Sequence, residues 1–275
     1  MRALKHLLIA AMATALAFAS LPAGAEDRFI VVQSTTSTEN SGFFAHLLPL
    51  FTAKTGIAVR VVAVGTGQAI KNAENGDGDV LLVHDKASED KFVAAGGGVK
   101  RFDVMYNDFI LAGPSADPAA VGEGSDAIAA LMKISDKQAA FVSRGDDSGT
   151  HKAELRLWKE AGVDVKAASG TWYREAGQGM GGTLNMAAGL NAYVLSDRAS
   201  WSAFKNRGEL KLAISGDKRL FNQYGIILVN PEKHPNVKAA DGQTFIDWML
   251  SSEGQSAIAG FKIDGEQQYF PNAAK

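Results

Sequence analysis

Short apolar runs and longer stretches with apolar positions three and four apart alternate along most of this chain. Phe29 to Val32, Ile57 to Val64 and Asp79 to Val83 have the length of buried strands. Between the first two, Phe43, Phe44, Leu47, Leu48 and Phe51 recur at helical spacing, with Pro49 inside the run and Lys54 and Gly56 marking its end. Shorter helices are predicted over Gln68 to Asn75 and Ala87 to Ala95, the latter closed by Gly96-Gly97-Gly98. Strand, turn and helix repeated in this order predict a parallel α/β sheet.

Further strands are expected at Phe109 to Ala112, Ala139 to Val142, Tyr193 to Leu195 and Gly225 to Val229. Helices are expected at Ala127 to Lys133, Thr150 to Ala161 and Thr183 to Ala188, and one or two more within Gly242 to Ile258. There Phe245 and Trp248 belong to the core. The Pro-, Ala-, Gly- and Ser-rich region Pro114 to Ser125 marks a transition between two parts of the chain.

In a parallel α/β sheet the loops at the carboxyl ends of the strands gather along one edge and line the ligand crevice. Two such turns carry donors here, Gln33-Ser34-Thr35-Thr36-Ser37-Thr38 and Gly65-Thr66-Gly67. The richest stretch is Ser143-Arg144-Gly145-Asp146-Asp147-Ser148-Gly149-Thr150-His151, which follows a strand and opens a helix. A helix start leaves backbone N–H groups unpaired and favours an anion. Ser148 and Thr150 add hydroxyl donors and Arg144 a charged fork, so the stretch reads as a receptor for a small anion. The run Gly177-Gln178-Gly179-Met180-Gly181-Gly182 precedes another helix, whose start is a further candidate to face the same crevice. His84-Asp85 has no second histidine at ligand spacing, so His84 reads as a rim residue or as one standing behind the contact residues. Ser196-Asp197-Arg198 reads as support for a helix start.

The amino terminus narrows the setting. Arg2 and Lys5 precede the apolar run Leu7 to Phe18, and Ala23-Gly24-Ala25 offers a cleavage site, so residues 1–25 are expected to be a signal peptide of an exported, soluble protein. The formal net charge is -2, and the predicted leader carries basic but no acidic residues, so the mature protein is more acidic still. That excludes sequence-independent nucleic-acid binding as a natural role. Cysteine is absent, which rules out disulfides and an N-terminal lipid anchor on cysteine. No sequence feature asks for a cofactor or a metal cation.

Taken together, Ser34 to Thr38, Phe51-x-x-Lys54-Thr55-Gly56, Val64-Gly65-Thr66-Gly67-Gln68-Ala69, Asp79 to Asp85, Met105 to Phe109, Ser143 to His151 and Gly177-Gln178-Gly179-Met180 resemble the periplasmic tungstate-binding proteins of the TupA type. The resemblance spans nearly the whole chain after the leader. It implies an α/β, two-lobe periplasmic-binding-protein fold of type II, each lobe a mainly parallel sheet flanked by helices. Residues 26–107 and 224–275 would form the first lobe and 108–223 the second, joined by crossover strands. It implies a monomeric, non-enzymatic solute-binding component that takes tungstate, or molybdate, to the membrane permease of an ABC importer. By the same resemblance Thr35, Thr36, Thr66, Arg144, Ser148 and Thr150 contact the anion. Ser34, Ser37, Gly67, Gly149, Gln178, Gly179 and Met180 stand around them as further candidates.

Tungstate and molybdate carry no proton at neutral pH, so their cleft should offer donors and no carboxylate acceptor at the oxygens. A phosphate- or sulfate-type receptor is the alternative within transport, and Asp146 or Asp147 could supply the acceptor that phosphate uses. A serine-dependent hydrolase built on Ser148 and His151 is the alternative of another class. It lacks the Gly-x-Ser-x-Gly context and an acidic orienter.

Overall fold

The structure, a computed structural model, describes residues 28–274. The predicted signal peptide lies outside the described residues. The first part of the chain forms β1 (Phe29–Thr35), α1 (Thr36–Asn40), α2 (Phe43–Thr55), β2 (Ala58–Val64), α3 (Thr66–Glu74), β3 (Val80–Val83), α4 (Lys86–Ala94) and β4 (Gly98–Pro114). The middle forms α5 (Ala127–Asp136), β5 (Phe141–Ser143), α6 (Gly149–Glu160), β6 (Tyr173–Glu175), α7 (Met180–Leu190), β7 (Tyr193–Asp197), α8 (Arg198–Ala203) and β8 (Leu210–Ile214). The chain then returns through β9 (Phe221–Val229), α9 (Ala239–Leu250), α10 (Ser252–Gly260) and the short strands β10 (Lys262–Ile263), β11 (Glu266–Gln267) and β12 (Phe270–Pro271).

Two sheets share one long strand. In the first, β2, β1 and β3 are parallel, and β9 and β4 continue it antiparallel. In the second, β7, β5 and β6 are parallel, while β4 joins antiparallel to both β7 and β8. The transfer falls between Asp108, which pairs with Phe221 of β9, and Phe109, which pairs with Asp197 of β7. The sequence reading places strands at the crossovers but stops short of their length. In the structure β4 runs for 17 residues because its first half pairs with one sheet and its second half with the other.

Each lobe has its own apolar interior. Phe43, Leu47 and Phe51 of α2 pack with Ile30, Val32, Tyr224, Phe245, Trp248 and Met249 on one side of the first sheet. These are the positions spaced at three and four in the sequence, and Pro49 is accommodated within the helix. Gly56, with φ 71°, ends α2 in the left-handed conformation that favours glycine. In the second lobe Phe141, Leu157, Trp158, Tyr173 and Tyr193 form the centre of one cluster, and Met180, Leu184, Val142 and Val194 another. The parallel strands β1, β2, β3 and β5 all end at the cleft between the lobes, as does β7, which runs parallel to β5.

The lobes are in contact across that cleft. Gly149 N–H donates to Thr66 Oγ1 at 2.8 Å, Lys152 Nζ to Ser88 Oγ at 3.2 Å, and Arg156 to Asp85 at 2.9 Å. The two sides of the cleft thus meet directly.

Candidate anion site

The expected turn after β1 is shorter than the sequence reading had it, because Thr35 is at once the last residue of the strand and the cap of α1. Its Oγ1 accepts from Thr38 N–H at 3.4 Å and bonds to the hydroxyls of Ser37 at 3.0 Å and Thr38 at 2.8 Å. Ser34 donates to the carbonyl of Leu82 at 2.7 Å, inside the first lobe. Asn222 Nδ2 donates to Asn107 Oδ1 at 2.7 Å, which leaves Asn222 Oδ1 to accept from His84 Nδ1 at 3.1 Å. With its proton on Nδ1, the imidazole accepts at Nε2 from the Ser37 hydroxyl at 3.2 Å. Burial holds His84 neutral by pushing its pKa down to about 4. The imidazole stacks on Tyr224, with ring centroids 4.7 Å apart. Of its two readings, a rim residue or one standing behind the contact residues, the structure supports the second: His84 is an interior support for α1.

Hydroxyl hydrogens therefore sort the candidates. Those of Ser34 and Ser37 are engaged within the first lobe, and Thr35 sits inside the capping cluster. Thr36, Thr66 and Ser148 use their oxygens as acceptors, from Arg144 at 3.4 Å, from Gly149 N–H, and from His151 N–H at 3.1 Å respectively. Each keeps its own hydrogen to give. Thr150 Oγ1 is buried with no partner at all. Buried polar groups are ordinarily paired, so an orphaned hydroxyl on the first turn of α6 marks a place for a ligand.

Arg144, just beyond β5, is only 1% exposed. One of its terminal nitrogens is ion-paired to Asp146 and also reaches Thr36, while its Nε has no partner. A carboxylate does stand beside the donors: Asp146 holds Arg144 directly, and its other oxygen accepts from Ser148 N–H at 3.2 Å. Both oxygens are thus occupied in shaping the loop before α6, with the guanidinium aimed by one of them.

Glycines let the lobes approach. A side chain on Gly65 would meet the Asp146 carbonyl oxygen at 3.2 Å, and one on Gly67 would collide with the Asp147 carboxylate. Gly179, which precedes α7, lies against the Thr36 hydroxyl, where an added Cβ would stand 3.3 Å away. That brings the start of α7 to the cleft, as the glycine-rich run suggested. Gln178 folds back over Gly182. Met180 is fully buried in the second-lobe core with Leu184 and Val194, so its side chain serves packing.

The starts of α1, α3, α6 and α7 converge on this point, each adding its positive dipole end. The proposed hydrolase pair is not assembled for catalysis. Ser148 caps α6 through the backbone N–H of His151, and His151 Nδ1 accepts from Asp147 N–H at 3.1 Å. Among the described residues no group of three or more His, Cys, Asp or Glu side chains is placed to hold a metal ion. None of their helices is long and apolar enough to cross a membrane.

Two α/β lobes closed on buried, unpaired donors define a solute-binding protein, and residues 21–253 match the family model described as the PBP superfamily domain. The tungstate-binding protein TupA of Peptoclostridium acidaminophilum is 48% identical over 250 residues, spanning 90% of this chain and 86% of that one. Among solved structures, the tungstate-binding protein TupA from Desulfovibrio alaskensis G20 is 45% identical with a TM-score of 0.76, covering 90% of this chain and 100% of that one. The tungstate ABC transporter structure from Geobacter sulfurreducens is 49% identical with a TM-score of 0.78, covering 85% and 98%. The chain belongs to the TupA family of tungstate-binding proteins.

Proposed function

We propose that this chain binds tungstate, and molybdate as a second ligand, between its lobes and delivers it in the periplasm to the membrane permease of an ABC importer. The observation that carries this reading is the set of uncommitted donors: Arg144 Nε and the hydroxyls of Thr36, Thr66, Ser148 and Thr150. Thr36 and Thr66 come from one side of the cleft and the other three from the opposite side, matching a division of the chain into 26–107 with 224–275 and 108–223. Thr35 and Ser37 act behind them by holding α1 in place. A tetrahedral dianion accepts at every oxygen, which suits a cleft of donors. Nothing in this task requires a bond to be broken, and the protein acts as a monomeric carrier rather than an enzyme.

Closure is favoured because only the closed form surrounds the anion from both sides, and a ligand shifts an equilibrium by its differential affinity. Selectivity over sulfate, also a bare dianion, then rests on cavity size, since tungstate and molybdate have the longer bonds to oxygen. Calorimetric competition among tungstate, molybdate, sulfate and phosphate tests the reading. Tungstate and molybdate should both displace sulfate and phosphate. Sulfate or phosphate binding as tightly as tungstate would overturn it.

A further inference from the structure

Asp197 is buried at the cleft and is not among the anion donors. It ends β7 and caps α8, with Oδ1 accepting from Ser200 N–H at 2.9 Å. The residue is fully buried, yet Oδ2 has no partner. Residues opposite one another in an antiparallel pair share a face, and so do alternate residues along a strand. The pairings Phe109 with Asp197 and Asn107 with Asn222 therefore place all four on one face of the shared strands, the face against which His84 packs. That face is the floor of the cleft, and Asp197 is its carboxylate.

The charges around Asp197 do not balance once an anion arrives. Arg144, from the loop before α6, is the cation whose field reaches it. That same guanidinium is already paired with Asp146. His84, just beyond β3, is neutral, and Tyr224 and Tyr269, from β9 and the C-terminal segment, are held protonated by burial. The residues presented by α1, Ser37 and Thr38, carry no charge. Arg198, the next residue on its own helix, is turned to Asp108, with Nε 2.6 Å from its carboxylate. One guanidinium thus faces two carboxylates before a dianion enters a water-excluded cleft.

We propose that anion binding draws one proton from solvent onto Oδ2 of Asp197, so that the cleft closes over the dianion with a neutral carboxyl on its floor. This rests on the anion reading given above. Oδ2 is the oxygen that takes the proton because Oδ1 is held as an acceptor by the cap of α8. Burial already raises the proton affinity of this carboxyl, opposed by the bond from Ser200 and the attraction of Arg144. The dianion's field raises it further. A protonated carboxyl also contributes a donor in a site whose other members are donors.

Titration calorimetry with sodium tungstate tests this, using the full mature chain in two buffers of the same near-neutral pH and different ionisation enthalpy. The heats should differ by the uptake of about one proton per anion, and the affinity should fall by up to about tenfold per pH unit between the free and bound titrations of Asp197. Asp197→Asn retains an oxygen to cap α8 and should abolish both the buffer dependence and the pH slope. Glu154→Gln, which removes the other buried carboxyl near Arg144, should retain them. Equal wild-type heats in the two buffers would overturn the inference without touching the anion reading. Uptake that persists in Asp197→Asn would overturn it by placing the proton elsewhere. A wild type that gives no tungstate heat at any pH would bring down the anion reading itself, and this inference with it.

Discussion

Gly149→Ala should separate closure of the lobes from the chemistry of the donors. Gly149 opens α6, and its N–H makes the 2.8 Å bond to Thr66 across the cleft. A Cβ at this position would stand 2.9 Å from Cε1 and Nδ1 of His84 and 3.1 Å from Thr66 Oγ1. Carbon contacts settle near 3.5 Å, so the start of α6 must withdraw by roughly half an ångström. His84 cannot yield easily, because the imidazole is buried, bonded at both nitrogens and stacked on Tyr224. Overpacking of this kind costs about 1–3 kcal/mol, and weakening the bond to Thr66 about 1 kcal/mol more. The cost falls on the closed form alone, so tungstate affinity should drop by roughly 30-fold to several hundred-fold. No charge and no side-chain donor is lost. The assay is titration calorimetry together with solution scattering with and without tungstate, where the variant should compact less than the wild type. Affinity within about threefold of wild type and unaltered compaction would refute the argument that Gly149 is small because the lobes meet there.

Two neighbouring threonines should behave differently. Thr35→Ala removes the cap of α1 and should lower the melting temperature, by about 1 kcal/mol of stability, with a smaller effect on binding. Thr36→Ala removes an uncommitted donor beside Arg144 and should weaken tungstate binding with little change in melting temperature. Equal effects of the two on binding would mean that the hydrogen-bond assignment is wrong. Glu154 gives a stability test. Fully buried, it accepts from Tyr173 at 2.7 Å and Trp158 at 3.1 Å, and burial pushes its pKa up to about 7. The folded state thus holds a proton that the unfolded chain releases above the ordinary carboxylate range. Its contribution is present at low pH and is lost as pH rises toward 7, by up to about 3 kcal/mol. His84 acts oppositely, because its depressed pKa makes stability fall as pH drops from the ordinary histidine value toward 4. In chemical denaturation from pH 4.5 to 7, Glu154→Gln should remove this loss, so that stability rises more, or falls less, with pH than in the wild type; the buried Glu89, also raised to about 7, still opposes His84 in both proteins. A variant curve parallel to wild type would contradict this assignment.

Much of the architecture was legible because apolar spacing reports which side of an element is covered. The positions Phe43 to Phe51 marked the buried face of α2, and the helix after Ser148 began where a hydroxyl residue could cap it. Arg144, Ser148 and Thr150 stood out as candidates because their chemistry lies within one short stretch. Thr35 and Thr36 could not be told apart by sequence, since the difference is which hydrogen each hydroxyl has already given away. Asn107, Asn222 and the interior place of His84 left no local signal: they depend on the register of β4 with β9. Asp197 was read as support for a helix start, and it does cap α8. That its side chain shares a face with Asn107, Phe109 and Asn222 follows from the pairing of β4 with β7 and β9, which periodicity does not encode. The strand β8 was passed over because its five residues, Leu210–Ile214, include Lys211 and form an edge rather than an apolar run.

The pairing of Asp108 with Phe221 has a consequence for modularity. Those two residues lie side by side where the chain departs along β4 and where it comes back along β9. Topologically, everything between them is an insertion at the tip of a hairpin, and such insertions are tolerated when their ends are close. A two-residue Asn-Gly turn would bridge the same antiparallel pair and leave the first sheet uninterrupted. The resulting miniature would keep the hydroxyls of Thr36 and Thr66 without the guanidinium of Arg144, so on the proposed reading it would be half a receptor, and the excised part would carry Arg144, Ser148 and Thr150 with it.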